Sequence, residues 1–515
     1  MSAVNDPALR RLVGGVLWPG YLGREVPDWL RRELGDGGLA GAVLFSHNVP
    51  SAGTFRDLAP NLLIGIDEEG GNVSRLEART GSTLPGAAQL GFVDDPDATT
   101  AVARELAARS LAVGANVVLA PVADVNTDPG NPVIGVRAFG STPELVSRHV
   151  AAAVRGIQSA GAAACVKHFP GHGDTHLDSH VALPYLDLDP EEIERMHLPP
   201  FRAAIDAGAA AVMTGHLVVP AWGEAPATLN PAVLGRLRAM GFDGVIVSDA
   251  LDMAAVRDTV GAGPGAVRAL LAGADLLCVG NPRNPGAAAM PDQDERDFRE
   301  VQGAILAAID DGALPVAVLE RAAARVGALG AALAGGGTAG ERGRATDASR
   351  AALDAASVAR AAITVDAWFP PMPAPRTVLD ARGRATIAVD GDADYVADAL
   401  AGGGEVVRLD VGGVAGAGAD AGEAAGASLR SAVAAAAQRE EPLVVLVDRV
   451  GSSQGAQRDV IEQLAAIRPG AVVVDVGWPG GPLPLAALHT RAASRLAAET
   501  ASAVLAAGGR LEASA

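Results

Sequence analysis

Cysteine is nearly absent from this chain. Cys165 and Cys278 are the only two in 515 residues, and each lies inside an apolar run. Both read as small buried side chains, which excludes a disulfide framework as the basis of the fold. Aromatic residues are scarce too, at 3% against a hydrophobic fraction of 49%. The core must therefore be assembled from Ala, Val and Leu. Positive charge is in the minority: 41 Lys and Arg face 60 Asp and Glu, a formal net charge of -19. A phosphate-binding surface needs a basic patch, so no nucleic acid and no anionic membrane is expected as a partner. The balance fits a neutral or diffusible substrate. No apolar run is long enough to span a bilayer. The first residues carry no apolar stretch behind basic ones, so no signal peptide is expected. The expectation is a soluble, cytoplasmic protein.

What the chain does have is alternation. Candidate strands are Ala42–Phe45, Leu62–Asp67, Asn116–Pro121, Ala163–His168, Ala211–His216, Val245–Asp249 and Asp275–Val279. Amphipathic stretches such as Ala101–Leu111, Val146–Gln158 and Pro231–Met240 lie between them. Continuous apolar strands alternating with helices predict a parallel sheet buried on both faces. Seven or eight strands fit a (β/α)8 TIM-type barrel, with a doubly wound sheet as the rival. Polar residues end many different strands: Asp67, Asp124, Lys167 with His168, His216 and Asp249. A barrel gathers all its strand ends around one mouth, whereas an open sheet concentrates ligands at one crevice, so the spread favours the barrel. Ala331–Arg350 is rich in Gly, Ala and charge and reads as a linker. A second α/β pattern follows, with strands at Thr386–Val389, Val406–Leu409, Leu443–Val447 and Val472–Val476. Its helices are expected near Ala393–Leu400, Arg458–Ile467 and Arg491–Leu505, and Gly412–Ser428 reads as a mobile low-complexity loop. The expected organisation is an α/β protein: a catalytic barrel over 1–333, a linker over 334–350 and a C-terminal α/β sandwich over 351–515.

The most informative segment is Lys167-His168-Phe169-Pro170-Gly171-His172-Gly173-Asp174-Thr175-His176-Leu177-Asp178-Ser179-His180, which holds four of the chain's nine histidines. Gly171 and Gly173 after Pro170 put these polar groups on a loop at a strand's end. A polar loop with capping aspartates is the plain structural reading. A metal site is one chemical alternative, since His and Asp at short spacing are usual ligands. Lys167 stands among the candidate ligands, however, and its charge would repel a cation. The other alternative is acid/base chemistry, with Asp178 orienting the imidazole of His180. Such a dyad needs a nucleophile, and Asp249 ends the strand Val245–Ser248. A carboxylate opposite a proton donor is the arrangement of retaining glycosidases. Asp67, Arg75 and Arg137 are candidates for binding sugar hydroxyls. An Asp67-Glu68 pair running substrate-assisted hydrolysis would leave Asp249 and His180 unemployed and ranks lower. His216 reads equally as a structural or a site histidine. Trp18, Trp29 and Trp222 read as packing residues rather than sugar platforms.

Together these motifs resemble glycoside hydrolase family 3, in its β-N-acetylglucosaminidase branch, from about Leu12 to Leu333. Gly41–Val49 resembles the family's first strand. Ile66–Gly71 resembles its Asp-Gln-Glu-Gly-Gly element, with Glu68 in place of Gln, and Asn72 stands where many members have Arg. Ala120–Asp124 with Asn131–Gly140 resembles a third block. Lys167–His180 matches the family's long histidine motif throughout. Val247–Met253 resembles its nucleophile motif, with Ala250 in place of a second Asp. The resemblance implies Asp249 as nucleophile and His180 as acid/base, assisted by Asp178. It implies that Asp67, Arg75, Arg137, Lys167 and His168 hold the sugar. It also implies an enzyme without metal or organic cofactor, releasing N-acetylglucosamine from small carbohydrates, with cell-wall fragments favoured over chitin oligomers. A phosphorylase passing the sugar to phosphate is the alternative within the family. All five matching segments lie before residue 254, so the barrel alone is expected to hold the reacting groups. Treatment with EDTA is expected to leave turnover unchanged, measured before and after chelation; activity lost and restored by zinc would make the histidine loop a metal site.

Overall fold

A computed structural model of the chain describes residue 3 and residues 6–49, 61–177, 183–284, 288–335, 354–383, 394–411, 430–450 and 455–509. The strands of the first two-thirds are short and apolar on both faces: β1 Leu17–Pro19, β2 Gly41–Leu44, β3 Leu63–Ile66, β4 Glu68–Gly70, β5 Val73–Ser74, β6 Val117–Val118, β7 Ala163–Phe169, β8 Ala211–Thr214, β9 Val245–Val247 and β10 Leu277–Gly280. Six of them form one parallel sheet in the order β2-β3-β6-β7-β8-β9. A parallel bridge between Val247 and Leu276 continues it toward β10, and β10 pairs in parallel with β1. β1 lies beside β2, where the Ala40 N–H donates to the Gly14 carbonyl at 3.0 Å. These eight strands make the TIM-type barrel expected from the alternation.

Alternation along the strands sorts the side chains into two layers. Ala163, Cys165, Ala211, Met213, Val245, Val247 and Cys278 point inward, in one cluster with Trp18, Val43 and Leu63. Ala164, Val166, Val212 and Ile246 point outward against the helices. Among those helices, Pro96–Ala112 and Pro143–Ser159 both begin with proline in the first turn, where its missing N–H costs nothing. Asp95 caps the first by accepting from the N–H groups of Asp97 and Ala98. Both cysteines are free and buried, and Trp18, Trp29 and Trp222 are buried as well. Trp18 fills the barrel interior, and its indole N–H donates to the Leu63 carbonyl at 2.7 Å.

The barrel's first strand is Leu17–Pro19, so Gly41–Leu44 is its second. The three-residue β1 is ended by Pro19 and carries too little pattern to stand out in the sequence. Between β3 and β6 a short antiparallel hairpin, β4–β5, rises from the C-terminal end of β3. Gly70 (φ 76°) and Gly71 (φ 55°) make its turn in the left-handed region. A side chain at Gly70 would also meet the Pro85 carbonyl at 2.7 Å.

The second sheet runs β11-β16-β15-β14-β12-β13, from strands β11 Thr364–Val365, β12 Thr377–Asp380, β13 Val406–Arg408, β14 Leu443–Val447, β15 Val472–Asp475 and β16 Ala486–His489. All pairings are parallel except β11 with β16. Apolar clusters cover both of its faces, which makes the α/β sandwich. β14 coincides with its expected span, and β13 and β15 come within one residue of theirs. β11, β12 and β16 were not anticipated. Ala-Ala-Leu-His reads as helix by propensity and becomes strand only because the neighbouring β15 supplies its ladder. Residues 331–335 continue the helix Val316–Gly335, so this part of the expected linker is helical. The strand expected at Thr386–Val389 and the loop Gly412–Ser428 lie outside the described residues. No helix among the described residues is long and apolar enough to cross a membrane.

Gly65 of β3 tests how tightly the barrel interior is filled. A Cβ there would lie 2.4 Å from the Trp18 ring. Gly65→Ala is expected to cost about 1–3 kcal/mol through overpacking, read as a lowered melting temperature. An unchanged melting temperature would show that the indole can move aside.

Candidate active site

The C-terminal ends of the barrel strands bring one cavity together. Asp67 follows β3, Glu69 sits on β4 and Arg75 follows β5. Arg137 ends the short 3-10 turn Gly135–Arg137, Lys167 and His168 belong to β7, and Asp249 lies two residues beyond β9. Asp67, Arg75, Arg137, Lys167, His168 and Asp249 all line this cavity. Every expected site residue within the described part of the chain is therefore in one place. Asp178 and His180 lie outside the described residues.

Lys167 is the electrostatic centre. Its ammonium lies 2.7 Å from Asp67 Oδ1 and 2.6 Å from Glu69 Oε1. Arg137 grips the same Glu69 through two parallel bonds, Nε to Oε2 at 2.9 Å and Nη2 to Oε1 at 2.8 Å. Arg75 reaches the other oxygen of Asp67 at 3.3 Å. Burial alone would raise both carboxyls. For Asp67 the charges of Lys167 and Arg75 outweigh it and hold the group below its ordinary value. For Glu69 those of Arg137 and Lys167 do the same. Burial would likewise strip Lys167 of its proton, but Asp67 and Glu69 hold its pKa above the usual lysine value. The cluster is thus fully ionised and fixed before any ligand arrives.

A second layer orients the remaining groups. Asp124 is fully buried, and its Oδ2 lies 2.8 Å from His168 Nδ1. Its Oδ1 accepts the His172 backbone N–H at 2.7 Å. Burial pushes the imidazole of His172 down to about 4, so that ring is neutral. Asp249 Oδ1 accepts the N–H of Ala250 at 2.8 Å. The carbonyl of Ala250 in turn accepts from His216 Nε2 at 2.9 Å, while His216 Nδ1 lies 2.9 Å from the Thr228 hydroxyl. A carbonyl can only accept, so His216 carries its proton on Nε2. It braces the chain just after Asp249 and is not among the cavity-lining residues, which resolves its two readings toward support.

Glu69 was missed as a site residue. A strand's period of two puts it on the same face as Asp67, and that was the available signal. A second signal is composition: Lys167 is the chain's one lysine, every other basic residue being arginine. The compact Lys167 ammonium meets both carboxylates, at 2.7 Å and 2.6 Å. Asn281 and Asn284 also line the cavity. Asp252 holds both, accepting from the Asn281 N–H at 3.2 Å and from Asn284 Nδ2 at 2.6 Å. Among the described residues no group of three or more His, Cys, Asp or Glu side chains is placed to hold a metal ion.

Glu68 is on the other side of its strand, and the Asp67-Glu68 pairing considered above is not built. Its Oε2 accepts the backbone N–H groups of Arg75 at 3.0 Å and Leu76 at 3.1 Å. Burial pushes its carboxyl up to about 7 against the pull of those bonds. The folded chain therefore keeps a proton there that the unfolded chain releases. This group's contribution is full below about 4.5 and is lost as pH rises to about 7. Glu68→Gln keeps the acceptor and cannot ionise. At pH 8 it is expected to be more stable than the parent by about 1–3 kcal/mol, and its melting temperature should vary less between pH 5 and 8. A parent protein that is equally stable at pH 8 would contradict the shift.

Comparison with known proteins agrees with this geometry. Residues 54–329 match the model of the glycosyl hydrolase family 3 N-terminal domain. A β-hexosaminidase of Xylella fastidiosa is 39% identical over 279 residues, covering 51% of this chain and 81% of that enzyme. β-Hexosaminidase A of Pseudoalteromonas piscicida is 34% identical over 269 residues, a match that spans 46% of this chain and only 45% of that protein. The solved structure of a glycoside hydrolase family 3 β-N-acetylglucosaminidase from Paenibacillus sp. str. FPU-7 superposes with a TM-score of 0.75 at 30% identity, covering 97% of this chain and 96% of the other. A family model spanning more than half the chain and a full-length structural relative lead to one conclusion: the chain belongs to glycoside hydrolase family 3.

Proposed function

We propose that the chain is a retaining exo-β-N-acetylglucosaminidase, acting on small N-acetylglucosaminides through a covalent glycosyl-enzyme. The observation that carries this reading is one cavity lined both by Asp249 and by Asp67, Lys167, Arg137 and Arg75, which are ion-paired among themselves and with Glu69. Sugar hydroxyls are neutral, and fixed charges of both signs offer them donors and acceptors without reorganisation. The names of the relatives support N-acetylglucosamine as the sugar removed.

In this reading Asp249 attacks the anomeric carbon. Its bond to the Ala250 N–H, braced by His216, sets the carboxylate's orientation. His180, assisted by Asp178, donates the proton to the departing oxygen and then removes one from the incoming water. In the sequence both residues follow the segment Lys167–Phe169 that ends β7. Water rather than phosphate is the acceptor. Each cation in the described cavity lining already has a carboxylate partner, so a phosphate would have to displace one. Cell-wall fragments ending in N-acetylglucosamine are the proposed natural substrates, and the cytoplasm the proposed place of action.

The roles separate by mutation. Mixed with a dinitrophenyl N-acetylglucosaminide, the His180→Ala protein is expected to accumulate a covalent sugar on Asp249, visible by mass spectrometry after quenching. The leaving group needs little protonation, whereas the second step still lacks its base. Losing the proton shuttle should cost about a hundred- to ten-thousand-fold with poor leaving groups. Asp249→Ala should form no adduct. An adduct on another residue, or sugar 1-phosphate as the product in phosphate buffer, would overturn this assignment.

A further inference from the structure

The second sheet touches the barrel at a place that matters for the sugar. The tip of the β4–β5 hairpin is Asn72, three residues from Glu69 and three from Arg75. Its Oδ1 accepts the backbone N–H of Ala493 at 2.6 Å. Ala493 belongs to the loop that leaves β16. The same loop holds the segment on which the hairpin rests. Gln89 Nε2 donates to the Thr490 carbonyl at 3.1 Å, and the Leu496 N–H donates to the Ser82 carbonyl at 3.1 Å. That segment holds the hairpin in turn, because the Gly71 N–H donates to the Leu84 carbonyl at 3.1 Å. The Arg491 guanidinium lies 3.6 Å from the Phe92 ring centroid. Tyr395 packs on Gly81, and its hydroxyl donates to the Ala493 carbonyl at 3.0 Å. The loop is itself rigid: the Thr490 N–H donates to the Asp475 carbonyl, and Arg491 Nη1 donates to the Ala362 carbonyl.

We propose that the segment Thr490–Leu496, a loop running into the first turn of the helix Arg495–Ala507, is a positioning element of the active site, clamping the hairpin tip at Asn72 so that Asp67, Glu69 and Arg75 are held for the sugar. The reacting groups lie on the barrel, but the hairpin that presents three of them is backed by the second sheet. A two-strand hairpin of three and two residues cannot fix itself, since a ladder this short is unstable alone. The job of the second domain is therefore structural support aimed at substrate binding.

The activity part of the test rests on the proposed reaction, and amide exchange does not. In the full chain, Asn72→Ala removes the acceptor for Ala493. Gln89→Glu keeps the acceptor for the Gly86 N–H while removing the donor to Thr490. Both are expected to speed hydrogen exchange of the amides in residues 68–76 by about five- to tenfold, as for one lost hydrogen bond. Exchange in β7 should stay as in the parent. KM for a nitrophenyl N-acetylglucosaminide should rise by a similar factor with kcat changed less. Asn72→Asp, which keeps an acceptor, should restore both. Parental exchange in residues 68–76 in both variants would overturn the proposal, and so would a uniform rise across both sheets with a falling melting temperature. A parent protein that does not cleave the glucosaminide would refute the functional reading alone, because the exchange comparison still decides the clamp.

Discussion

One buried ammonium organises this site. Lys167 is almost wholly enclosed, and taking a lone ammonium out of water costs several kcal/mol. It is tolerated only because Asp67 and Glu69 meet it at 2.7 and 2.6 Å. Each of these carboxylates is largely enclosed too and meets a further cation, Arg75 at Asp67 and Arg137 at Glu69. The result ties the end of β3, the hairpin, the Gly135–Arg137 turn and β7 into one unit. Each member is tied to at least one oppositely charged partner, so the pieces of the site are held as a set. The barrel makes this possible, because only a closed ring of strands delivers side chains from four separated segments to one mouth.

The same arrangement shapes the chemistry. A fixed, ionised cluster presents donors and acceptors to sugar hydroxyls without reorganising, while Asp249 lines the same cavity from beyond a separate strand, β9. Ala250 and His216 brace it. The binding wall extends to the second sheet, through Asn72 and the loop after β16.

Much of this was legible in the sequence, for identifiable reasons. Barrel strands buried on both faces appear as continuous apolar runs, and the polar residue ending each run marks the mouth. Asp67, Lys167, His168 and Asp249 were all found that way. Arg75 and Arg137 lie off the strand ends; they were already candidates for binding sugar hydroxyls, and the resemblance to family 3 implied the same role. What escaped detection was either short or dependent on partners. The three residues of β1 carry no period. β16 is Ala- and Leu-rich and becomes strand only beside β15. Glu69 was hidden because Asp67-Glu68-Glu69 reads as an acidic run, and only strand alternation separates the two that pair with Lys167 from the one that does not. The clamp at Asn72 joins residues 421 positions apart, a distance no local pattern bridges.

Since Lys167 is the sole lysine, its charge state can be read without assignment. In protein carrying 15N only at lysine Nζ, a single side-chain resonance should be followed by NMR as pH is raised. The account requires it to stay in the ammonium position through the ordinary lysine value of 10.5, because Asp67 and Glu69 hold its pKa above that value. A midpoint at or below 10.5 would mean that burial outweighs the two carboxylates, and would contradict the account of the cluster.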